Sequence, residues 1–130
     1  MEHASYLLKT TIHSRNLQIQ DVPKKSLIGD EPTWKCVCTL SGDHERPIYD
    51  IDWSHHSGLI AAAGGDDCVN VYEEDAELST KNEPCFKLFA SMKNAHAQDV
   101  NCVRWNPKDG RLLATCSDDM SIKVWKICEL

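Results

Sequence analysis

Apolar and polar positions alternate in short runs along most of this chain. "IYDIDW" (48–53) and "VNCVRW" (100–105) are rich in β-branched and aromatic residues. "LIAAAGG" (59–65) and "LLATCS" (112–117) are apolar runs that end at small or polar residues. "VNVY" (69–72) and "SIKVW" (121–125) alternate in part with period two. Runs this short with this composition predict β-strands. Between them, "HHSG" and "NPKDG" hold Gly or Pro and predict turns. "DDC" and "DDMS" predict tight turns, because an Asp side chain can bond its own backbone. "TWKCVCTL" (33–40) and "CFKLFASM" (85–92) each predict a further strand before a His. No stretch carries a helical period over three turns.

The pattern repeats. His44 and His96, Trp53 and Trp105, Gly58 and Gly110, Ala62 and Ala114, and Asp67 and Asp119 all lie 52 residues apart. "HERPIYDIDW" and "HAQDVNCVRW" share one order of His, aliphatic, aliphatic and Trp. Each unit therefore reads as four short strands. In the first unit this offset puts Ala63 where the second has Thr115, and with the Asp turn read as one residue shorter Tyr72 stands where the second has Trp125. The polar, acidic stretch 73–84 predicts a loop between third and fourth strands.

Composition narrows the function. A chain of 130 residues with a formal net charge of −6 and no basic patch makes nucleic acid an unexpected partner. Its apolar runs are too short to span a membrane, and "MEHASYLLKT" lacks the features of a secretory signal. Seven Cys in no disulfide-like spacing read as reduced thiols.

A four-stranded unit with a His before its first strand, an Asp in its second turn and a Trp closing its third strand resembles the WD repeat of β-propellers. The resemblance implies an all-β fold, a partial WD40 β-propeller of about two blades plus strands of a third, from the C-terminal part of a seven-bladed ring. It implies a hydrogen-bonded network of His96, Thr115, Asp119 and Trp125 in the second unit. In the first unit His44 and Asp67 remain of it. "WKCVCTLSGDHERPIYDIDW", "GDDCVNVYEED" and "AHAQDVNCVRWNPKDGRLLATCSDD" further resemble the C-terminal blades of the Ciao-type WD family of cytosolic iron–sulfur protein assembly. That family implies a non-catalytic scaffold in the cytoplasm and also the nucleus. Its partners are the other subunits of the cytosolic iron–sulfur targeting complex and client apoproteins. Neither nucleic acid nor membrane is among them, and no cofactor, metal or catalytic residue is implied. A WD adaptor of another pathway, and a fragment without independent activity, are the alternatives.

On this reading residues 33–92 hold an outer strand and the first repeat, and 93–130 hold the second repeat without its outer strand. Residues 1–32 have two readings. "LKTTIHSRNLQIQ" (8–20) overlays "LATCSDDMSIKVW" without a gap, so that Leu8, Thr10, Leu17 and Ile19 match Leu113, Thr115, Ile122 and Val124. It is then two strands of a degenerate blade followed by a loop over 20–32. Otherwise it is unrelated sequence. Blades left without neighbours keep wet faces, so the isolated chain is expected to be poorly stable or to associate.

Each sharper reading has a plainer rival. The Asp pairs fit turns better than acid–base chemistry. Cys36 and Cys38 point to one strand face, which suits a core at least as well as a metal, and no C-x-x-C accompanies them. Loops at one end of rigid blades are where partners bind. The positions expected there are Pro47, Tyr49 and Asp66, with Asp99, Asn101 and Asp118 as counterparts. Tyr49 is the candidate contact residue, because Tyr is enriched at hot spots; a plain surface Tyr is the other reading.

Overall fold

The computed structural model describes residues 6–10, 13–21 and 34–128, which form ten strands and no helix. An N-terminal sheet holds β1 (Tyr6–Lys9), β2 (Leu17–Asp21) and β3 (Lys35–Leu40) in that order. A central sheet holds β4 (Ile48–Trp53), β5 (Ile60–Gly64), β6 (Val69–Glu74) and β7 (Phe86–Met92). A C-terminal sheet holds β8 (Val100–Trp105), β9 (Leu112–Ser117) and β10 (Ile122–Lys126). All pairings are antiparallel between chain neighbours. The all-β partial propeller expected from the sequence is what the chain forms. Of the expected loop 20–32, Gln20 and Asp21 end β2, and the rest lies outside the described residues.

The central sheet is packed on both faces, which explains its composition. Ala61, Ala63, Val69 and Val71 lie against Val100, Val103, Trp105 and Leu113 of the C-terminal sheet. Ile60, Ala62 and Tyr72 lie against Leu17, Ile19 and Leu40 of the N-terminal sheet. Period two sends alternate residues to opposite faces, so β5 is buried at every position. Small residues let both neighbours approach. Gly64 allows a close approach inside the sheet itself, since a Cβ there would sit 2.2 Å from the carbonyl oxygen of Pro47, just before β4. Full burial of a valine such as Val69 or Val71 stabilises by about 1.5–3 kcal/mol.

Carboxylates join the central and C-terminal sheets. Asp50 Oδ2 accepts from the Val103 N–H at 2.8 Å and from Arg104 Nη1 at 2.6 Å. Asp52 Oδ2 accepts from the Trp105 N–H at 2.7 Å. These bonds satisfy backbone donors on β8 that face away from its own ladder.

Register corrects two expectations. Trp53 pairs with Ile60, whereas Trp105 pairs with Leu113, so the missing residue lies in the first turn of the first unit, not in its Asp turn. Beyond that point the two units are 53 residues out of step. Ile60 and Tyr72 pair as Leu113 and Trp125 do. Ala62, not Ala63, therefore stands where Thr115 stands. In the N-terminal sheet Gln20 pairs with Leu7, whereas the ungapped overlay pairs it with Leu8. A one-residue slip reverses the faces of a strand. Leu8 accordingly packs on the core, and Leu7 is exposed.

Candidate functional site

Two networks hold the loop ends of the sheets. In the C-terminal sheet, His96 Nδ1 lies 3.0 Å from Asp119 Oδ2, and His96 Nε2 lies 2.7 Å from Thr115 Oγ1. Trp125 Nε1–H donates to the same Thr115 oxygen at 3.0 Å. One tautomer satisfies every group: His96 donates from Nδ1 to the carboxylate and accepts at Nε2 from the threonine hydroxyl. Asp119 also accepts from the Ala97 and Ser121 N–H groups. The Ser121 hydroxyl, with these donors and the His96 ring, holds its carboxyl far below the usual carboxylate range.

The first unit builds half of this. His44 Nδ1 lies 3.0 Å from Oδ2 of Asp66, which also accepts from the Glu45 N–H. The expected partner was Asp67. The relocated gap moves Asp67 one place on, to a turn position with φ +62° that matches Met120 at +65°. Ala62 offers no hydroxyl, so among the described residues the buried His44 Nε2 has no hydrogen-bond partner. Tyr72 fills the place of Trp125, and burial pushes its phenol well above the ordinary range.

Asn70 and Lys123 were not singled out by the sequence, yet they do one job. Asn70 Nδ2 donates to the Asp43 carbonyl at 2.9 Å, and Lys123 Nζ donates to the Ala95 carbonyl at 2.8 Å. Each thus ties the residue before a network His to its third strand. Their equivalence emerges only at the 53-residue offset. Asp50 and Asp52 were also missed, although the alternation in "IYDIDW" places two carboxylates on one face of a strand.

Of the six expected surface positions, five stay at an accessible rim and one does not. The ladders skip a residue between Ile48 and Asp50 and between Val100 and Cys102. Such bulges re-aim a side chain, and the skipped residues are Tyr49 and Asn101. Tyr49 is 48 % exposed, and its hydroxyl donates to Asp99 Oδ2 at 3.1 Å. That bond raises its phenol pKa. The ring lies over Gly65, where a Cβ would come within 2.9 Å of the Tyr49 hydroxyl. Asn101 Nδ2 donates to Asp118 Oδ1 at 2.6 Å. Pro47 is half-buried, and its carbonyl accepts from the Gly65 N–H. Asp66 is the exception: its side chain is 7 % exposed and belongs to the His44 network. An open cleft of about 440 Å³ lies between the two units at this end, lined by Glu45, Arg46, Gly65, Gln98, Asp99 and Asp118 among others.

Among the described residues Cys36 and Cys38 gather no ligand set. No group of three or more His, Cys, Asp or Glu among the described residues is placed to hold a metal ion.

Comparison with known proteins agrees with this architecture. The WD domain, G-beta repeat family matches residues 34–73 and 86–126. A Nematostella vectensis protein named probable cytosolic iron-sulfur protein assembly protein CIAO1 homolog is 53% identical over 98 residues, which is 75% of this chain and 30% of that protein. The Homo sapiens protein named probable cytosolic iron-sulfur protein assembly protein CIAO1 is 53% identical over 98 residues, 75% of this chain and 29% of that protein. The Drosophila mojavensis Ciao1 protein is 51% identical over 96 residues, 74% of this chain and 29% of its own length. The chain thus spans between a quarter and a third of the length of the curated relatives it matches.

Proposed function

The chain belongs to the WD domain, G-beta repeat family, and from that premise we propose that it is a non-catalytic interaction scaffold of cytosolic iron–sulfur protein assembly. It works in the cytoplasm, and in the nucleus where clients are nuclear. Its partners are the other subunits of the cytosolic targeting complex and the apoproteins that receive clusters. The observation that carries this reading is 53% identity over 75% of the chain to proteins named for that process.

The structure supports it in physical terms. His96, Thr115, Asp119 and Trp125 spend their hydrogen bonds on each other, which stiffens the turns they join. Rigid sheets present short loops at one end, as a docking surface requires. On that surface Tyr49, Pro47, Asp99, Asn101 and Asp118 are the contact residues, with Tyr49 as anchor.

Affinity purification of the tagged chain from cells tests the reading. Recovery of iron–sulfur assembly subunits and apoproteins is expected. An unrelated set of partners would make the chain a WD adaptor of another pathway. Recovery of none would leave it a fragment without independent activity.

A further inference from the structure

The C-terminal sheet carries two thiols that take no part in the networks above. Cys102 on β8 and Cys116 on β9 are register partners, both free and half-buried. Residues opposite each other in an antiparallel pair share a face, with Cβ atoms about 4.5–5.5 Å apart. The Val103 and Trp105 N–H groups point away from β9, so Cys102 and Cys116 are a hydrogen-bonded pair at the wide end of that range; a disulfide needs about 3.5–4.5 Å, so the strands must close by about 1–2 Å at this point. The ladder has slack there. The bulge between Val100 and Cys102 adjoins the pair, and β8 is an edge strand. The face is also open among the described residues. Ala114 is exposed, and Ile122 and Val124 on neighbouring β10 are 78% and 69% exposed.

We propose that Cys102 and Cys116 form a reversible cross-strand disulfide when the chain meets a peroxide, which makes this face an oxidation site. The Cys116 sulfur attacks a peroxide oxygen. An S–O bond forms and the O–O bond breaks, giving a sulfenic acid at Cys116 and one water. The Cys102 sulfur then attacks the Cys116 sulfur. The S–S bond forms, the S–O bond breaks, and hydroxide leaves with the Cys102 proton as a second water. Two thiols give up two electrons, and hydrogen peroxide is reduced to two waters.

Burial and the neighbouring Asp50 carboxylate push the Cys102 thiol up to about 11, so Cys102 must shed its proton before it attacks as the thiolate. A bond drawn across adjacent strands is strained and easily reduced.

The test treats the full chain with hydrogen peroxide, blocks free thiols with iodoacetamide and digests with trypsin without reduction. A species linking peptide 94–104 to peptide 112–123 is expected, and glutathione should release it. Cys102→Ser and Cys116→Ser should each abolish it. Met120, 97% exposed in the second peptide, reports whether peroxide reached the chain. Met120 sulfoxide in a peptide whose Cys116 is alkylated, with Cys102 alkylated too, would overturn the proposal. So would sulfinic acid at Cys116 without linkage, or a link from Cys116 to another cysteine such as Cys36.

Discussion

His96 Nε2 and Thr115 Oγ1 lie 2.7 Å apart in the buried interior of the C-terminal sheet. Their counterparts in the central sheet are His44 and Ala62, and there the His Nε2 has no partner among the described residues. The same fold thus holds a completed and an interrupted version of one network. Thr115→Val should cost about 1–3 kcal/mol, because it strands both a His nitrogen and the Trp125 N–H. Ala62→Ser should do the reverse and stabilise by about 0.5–1.5 kcal/mol. Urea denaturation of the two variants beside the parent chain checks both signs.

Asp119 makes stability fall in acid. Its folded-state pKa is depressed, chiefly by the Ser121 hydroxyl. Its contribution is therefore fully present above the unfolded value of about 3.9 and drains away as pH falls from there through the folded value. The urea midpoint of the parent chain should drop steeply below about pH 4. Asp119→Asn should start lower at pH 6 and show a shallower fall. Equal slopes for the two proteins would remove Asp119 as the source.

Asp52 and Arg104 should separate a buried acceptor from an exposed ion pair. Asp52→Ala leaves the Trp105 N–H without its acceptor and should cost about 1–3 kcal/mol. Arg104 is paired with Asp50, but its side chain is 57% exposed. Arg104→Ala should cost under about 1 kcal/mol. Chemical denaturation of each single variant measures the difference.

Tyr49 tests the proposed surface. If it anchors a partner, Tyr49→Ala should weaken capture roughly tenfold, the factor that corresponds to about 1.4 kcal/mol. Tyr49→Phe should keep most of the affinity, since the ring remains and only the bond to Asp99 is lost. Titration of both variants in the whole propeller against a purified assembly partner gives the answer. Unchanged affinity in Tyr49→Ala would end its role as anchor.

The strands of this chain and its repeated His, Trp and Asp markers were legible in the sequence, because alternation, turn chemistry and repetition are local properties. The complete network of His96, Thr115, Asp119 and Trp125 was legible too, through resemblance. The partner of His44 was not. A constant offset of 52 points to Asp67, and only strand register shows that one residue is missing before Ile60, which hands the role to Asp66. Burial at every position of β5 likewise requires sheets on both sides, which no single strand records. Asp50 and Asp52 gained no role from the sequence, because the β8 N–H groups they accept from are brought to them only by the fold. Sequence by itself determined which segments extend and where they turn. Tertiary structure decided which side chains meet, because pairing register and sheet stacking depend on contacts between segments far apart in the chain.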